Sequence, residues 1–218
     1  RRGKDVSLWH TPSTGYDNET YGTLVYKRTA QELHYLEAYL GTEAFDAMMQ
    51  GYYESWKFKH PQPGDMRAAM QATKTGKNID WWFENRLQSA GKVDYRLVQA
   101  KKQGENRYLV TVKQRGQPVP FTLAALDDSG AVMRQEWYMP VTGKTEIEVQ
   151  LDRPATRFTI DPHQKMPLYR RHLASARVGR YTAGLPAARP LAGLAYKRNQ
   201  AFVLPIMGSN YRDGFMLG

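Results

Sequence analysis

Cysteine is absent from the 218 residues, which excludes disulfides and thiolate metal sites and leaves the redox compartment open. No stretch approaches the ~20 apolar residues that a membrane-spanning helix needs. There is no Gly-x-Ser-x-Gly elbow, and glycine is nowhere dense enough for a phosphate-cradling loop. Histidine is sparse. His10, His34, His60, His163 and His172 include no pair four residues apart, the spacing that puts two imidazoles on one helix face. That pattern argues against a zinc site built from this chain alone, and each His reads as a helix-surface or turn residue. No apolar run follows Arg1-Arg2-Gly3-Lys4, so no signal peptide is visible. The missing Met and the mid-pattern start lead us to expect a piece of a longer protein.

What is present is a foldable chain with an uneven charge. Hydrophobic residues make up 41% and charged residues 24%, the mix of a folded domain with enough length for a core. The net charge is +10. From Pro162 onward there are nine Lys or Arg and one acid, Asp213, so +8 of that charge belongs to the last quarter of the chain. A basic tail can contact an anionic membrane surface or nucleic acid. The aromatics, however, keep core spacings and do not interleave with the basic cluster, so nucleic acid is not expected as a partner.

The pattern predicts an α+β protein: a helical subdomain over 1–90, a small all-β sandwich over 91–161, and a basic irregular tail over 162–218. Helical spacing runs from about Thr23 to Leu40 through Leu33, Leu36 and Leu40, and Gly41 follows as a left-handed stop. Thr42 is the expected cap of a second helix, whose apolar face is Phe45, Met48, Met49, Tyr52 and Trp56. His60-Pro61-Gln62-Pro63-Gly64 is a break, with Asp65 the expected cap of a third helix carrying Met66, Ala69 and Met70. A fourth helix should start at Asn78 or Asp80 and place Ile79, Trp82, Phe83 and Leu87 on one face. From Val93 the period changes to two. Alternating runs reach Ile160, separated by turns such as Asp127-Asp128-Ser129-Gly130, as in a sandwich of five or six short strands.

Only two residues stand out for chemistry. Tyr21 and Tyr26 flank the start of the first helix. Spacing alone allows a core or rim role, or a phenol that donates to an oxyanion.

A string of motifs around them carries a resemblance. It comprises Tyr26-Lys27-Arg28-Thr29-Ala30, then Leu40-Gly41-Thr42-Glu43-Ala44-Phe45, then Tyr52 to Phe58-Lys59-His60-Pro61. Gly64-Asp65-Met66 and Thr75-Gly76-Lys77-Asn78-Ile79-Asp80-Trp81-Trp82-Phe83 complete it. In order and spacing this string resembles the end of the catalytic domain of aminopeptidase-N-like zinc peptidases (metallopeptidase family M-one, gluzincin clan), bacterial members especially. Val93-Asp94-Tyr95 and Phe158-Thr159-Ile160-Asp161-Pro162 are similar to strands that follow it. The resemblance implies that Tyr26 stabilises the tetrahedral intermediate and that Tyr21 supports substrate binding nearby. It implies zinc in the parent enzyme, with the ligands and general base upstream of Arg1 and none within this chain. It implies removal of N-terminal residues from peptides, with a peptide substrate and the upstream zinc-binding domain as partners. Two positions depart from the family: Arg28 stands for its Lys and Thr29 for its Gly. They leave open a non-catalytic scaffold or pseudo-peptidase module used for binding or for presenting an outer-membrane domain. Residues Leu204 to Gly218 resemble the first strand of an outer-membrane β-barrel, which implies a periplasmic or outer-membrane setting, with the basic tail beside the anionic surface.

Overall fold

In a computed structural model, which describes residues 7–11, 13–140 and 142–179, the helical part is built around one stripe. Helix α1 (Asn18–Tyr21) runs through a π-helical segment, Gly22–Arg28, into α2 (Thr29–Leu40). On α2 the buried residues are Glu32, Tyr35, Leu36, Tyr39 and Leu40, the three-and-four spacing that faces one side of a helix to the core. Gly41 ends it at φ 92, which only glycine adopts without steric cost.

Helix α3 (Thr42–Trp56) buries Met48 and packs Phe45, Met49 and Tyr52 against the core. Its cap differs from expectation. Gly41 is the cap residue, because the positive φ that ends α2 also opens α3, and the Thr42 hydroxyl, now the first helical residue, donates back to Glu37 Oε1 at 3.3 Å. Helix α4 (Pro63–Ala72) also starts earlier than the pattern predicts. Pro63 sits in the first turn, where its missing N–H is no loss. Asp65 is therefore the third helical residue, not the cap, and its Oδ2 accepts from Gln62 N at 2.8 Å. Helix α5 (Asp80–Trp82) continues into a second π-helical turn, Phe83–Leu87.

Among the described residues seven strands follow: β1 (Tyr95–Lys102), β2 (Arg107–Gln114), β3 (Phe121–Leu126), β4 (Val132–Tyr138), β5 (Lys144–Gln150), β6 (Arg157–Ile160) and β7 (Ser175–Arg177). They form two antiparallel sheets, β1-β2-β5 and β4-β3-β6-β7. The inner faces meet through Tyr95 on Phe121 (ring centres 4.7 Å apart) and Tyr108 on Phe158 (5.3 Å). Buried hydroxyls find backbone partners, as the low-dielectric interior requires. Tyr95 donates to Val119 O at 2.7 Å, and Tyr108 accepts from Ala155 N at 3.0 Å. The chain is thus α+β, with two antiparallel sheets after the helices.

Helices and sheets share one continuous core. Tyr35 and Tyr39 of α2 pack on Trp81 and reach Trp137 of β4, with Tyr39 and Trp137 centres 5.2 Å apart. The Tyr35 hydroxyl donates to Pro120 O.

Residues 162–179, which the pattern assigns to the tail, are held against this body. Asp161, at φ 53, accepts from Lys165 N (2.8 Å), Met166 N (2.9 Å) and Arg171 Nη1 (2.8 Å). Arg170 forks onto the Asp94 carboxylate. β7 then adds to β6, and Gly179 N donates to Ala100 O at 2.9 Å, joining the β7 side of one sheet to the β1 edge of the other. Two of the tail's basic residues are therefore structural cations. The barrel-like run 204–218 lies outside the described residues. Among the described residues no helix is long and apolar enough to cross a membrane.

Candidate functional site

The π-helical segment decides how the two tyrosines meet. On an α-helix, residues five apart point about 140° away from each other. A π-turn bonds i to i+5 and brings such residues onto one side. Here the C-terminal end of the turn is marked by Thr29 N donating to Leu24 O. Tyr21 and Tyr26 meet edge-to-face with ring centres 5.6 Å apart. Tyr16 extends the row at 6.1 Å from Tyr21, a member that sequence reading missed because it lies outside the helical pattern.

Tyr26 is 64% exposed, and its hydroxyl has no hydrogen-bond partner among the described residues. An exposed phenol with its donor free is available to an incoming acceptor. Tyr21 is half-buried and lines a cleft of about 230 Å³ with Leu8, Thr11, Tyr16, Val25 and Thr29.

The two departures from the family pattern are both absorbed locally. Thr29 Oγ1 donates to Leu24 O at 3.4 Å, spanning the π-turn. Arg28 turns inward and donates from Nη2 to Arg86 O (3.3 Å) and Ser89 O (3.2 Å).

Beneath them lies a buried ion pair. Glu32 is fully buried and Arg86 is 3% exposed. Arg86 Nε and Nη2 bind the two Glu32 oxygens at 3.0 and 2.5 Å, and Nη1 donates to Gly91 O at 3.0 Å. Trp82 Nε1 donates to Glu32 O at 3.0 Å. These bonds fix α2, and with it the π-segment, onto the Phe83–Leu87 turn. A signal for this was present in the sequence: Glu32 stands on the apolar stripe of α2, where an unpaired acid is not tolerated.

The histidines do not converge. His34 Nδ1 lies 3.3 Å from Glu37 Oε2 on the helix surface. Among the described residues no three His, Asp or Glu side chains gather to hold a metal ion.

No family model and no curated protein matches the sequence. Solved structures do match, 27 chains in all. One is Legionella pneumophila aminopeptidase A, crystallised in complex with aspartic acid, at a TM-score of 0.54 and 14% identity over 65% of this chain. The fold is aminopeptidase-like. The match covers 17% of the Legionella chain, so what is shared is the architecture of a part.

Proposed function

We propose that this chain is the tyrosine-bearing part of a zinc-dependent aminopeptidase of the M-one type, acting on the free N-terminal residues of peptides. In this reading Tyr26 donates its phenolic hydrogen to the oxyanion of the tetrahedral intermediate. Tyr21 supports the substrate beside it. The observation that carries the reading is Tyr26 itself: exposed, with a free donor, and held by a π-turn beside Tyr21, in a fold that an aminopeptidase shares.

Among the described residues no cluster of His, Asp or Glu fits a metal ion, and in this proposal zinc is a group held by residues upstream of this chain. A periplasmic or outer-membrane setting is part of the same proposal and rests on the sequence of 204–218 and the basic tail.

The test is Tyr26→Phe in the full-length protein, with peptide or aminoacyl-anilide turnover as the readout. Loss of one oxyanion donor lowers kcat by roughly 10²-fold or more. Unchanged turnover would remove Tyr26 from the chemistry. A full-length protein with no turnover at all would favour the scaffold reading instead.

A further inference from the structure

Two sheets have four edge strands, and an unpaired edge is a template for another strand. In this protein the four edges are treated differently. The β1 edge and β7 lie together, joined by Gly179 N to Ala100 O and by a parallel bridge between Ala100 and Val178. Among the described residues that leaves β4 and β5, which bond to β3 and to β2 respectively on one side only. Each offers seven residues without a proline. Among the described residues, no backbone bond beyond the β3 ladder involves Val132 to Tyr138.

We propose that β4 pairs antiparallel with β4 of a second copy of this chain, about a two-fold axis through Gln135. The sequence of β4 is self-complementary about that point. Arg134 then faces Glu136 of the other copy, Met133 faces Trp137, and Val132 faces Tyr138, each pair on one face of the joined sheet. Two charge pairs and four apolar contacts form at once. The charges are at hand on this strand: Arg134 and Glu136 are about half-exposed and paired with each other at 2.5 Å, and Arg134 Nη1 also donates to Gln150 O at the end of β5 at 2.8 Å, a side-chain bond that leaves the backbone edge of β4 uncovered.

The other free edge shows that such complementarity is not general. Folded about Ile147, β5 would set Glu146 against Glu148 of its copy, twice, like charge on like. In the register that pairs the whole strand, repulsion thus disfavours β5 with itself and leaves β4 as the edge that accepts a copy. The product is a continuous eight-stranded sheet with an isologous interface.

The register gives a test that a role within one copy cannot imitate. Sedimentation of the whole chain, up to about 1 mM to capture a weak interface, should give twice the monomer mass. Arg134→Glu and Glu136→Arg should each be monomeric, since each sets like charges across the axis. Mixed in equal amounts, the two variants should recover the doubled mass, because every facing pair is then of opposite sign. Recovery on mixing also shows that both variants are folded. A wild type that stays monomeric, single variants that dimerise like the wild type, or a mixture that stays monomeric would each overturn the proposal.

Discussion

The buried pair of Glu32 and Arg86 makes the most exacting prediction. Replacing Arg86 by Met keeps much of the side-chain volume and removes the charge. Glu32, fully buried, would lose both bonds to the guanidinium, and the nearest cation left among the described ion pairs is Arg28 Nε, 3.9 Å from Oε1. Gly91 O would lose its donor as well. Breaking a buried pair from one side costs about 3–5 kcal/mol, mostly the penalty of an uncompensated buried carboxylate. Set against a total stability of about 5–15 kcal/mol, that is enough to bring the protein near its unfolding threshold. The assay is urea unfolding followed by tryptophan fluorescence, since Trp82 donates to Glu32 O and reports on the same joint. The midpoint should fall while the slope stays constant. The pair Glu32→Leu with Arg86→Met should recover most of the loss, because an apolar replacement carries no desolvation cost. A single Arg86→Met within about 1 kcal/mol of wild type would mean that water reaches the pair, and the argument for a rigid joint behind Tyr26 would fail.

Three further outcomes can be checked by the same unfolding measurements. Gly116→Ala puts a Cβ 1.9 Å from Lys92 O, a backbone atom that cannot step aside, and should cost about 3 kcal/mol or more. Asp161→Ala removes the acceptor of two backbone N–H groups and of Arg171; it should cost about 2–4 kcal/mol and expose 162–179 to protease. In alkali, burial holds the Tyr35 phenol well above its usual range and pushes Tyr95 up to about 12. The folded state keeps these groups neutral, so stability is intact below pH 10 and falls from there toward 12 as the unfolded phenols ionise first; for Tyr95 alone the loss approaches about 3 kcal/mol. A flat stability profile between pH 10 and 12 would contradict their burial.

Periodic features were legible in the sequence. The face of α3 from Phe45 to Tyr52, the stop at Gly41 and six of the seven described strands follow from spacing and turn chemistry, since local hydrophobic pattern dictates them; Trp56, on the same stripe, does not reach the core. What escaped was set by contacts distant along the chain. β7 is three residues long, and its neighbourhood is fixed by Arg170 on Asp94 and Arg171 on Asp161, pairs that leave no period. The Gly22–Arg28 π-turn differs from an α-helix by one residue per turn, too little to register in so short a segment. At the site, Tyr21 and Tyr26 could be singled out from the sequence, but their edge-to-face contact depends on that turn. The caps at Thr42 and Asp65 were misplaced because either residue could serve, and backbone geometry chose otherwise.

The closure of the β1 edge has a consequence for the order of events during synthesis. β1, β2 and β5 can pair as soon as they are made, but the contacts that cover β1 come from Leu168 to Gly179, with Arg170 lying 76 positions beyond its partner Asp94. Loop-closure entropy makes such a contact late. Until residue 179 has left the ribosome, the growing chain carries an uncovered strand edge that any neighbouring strand could occupy. A chaperone that shields extended segments would therefore act on the β1 edge from the emergence of β1 until the arrival of β7.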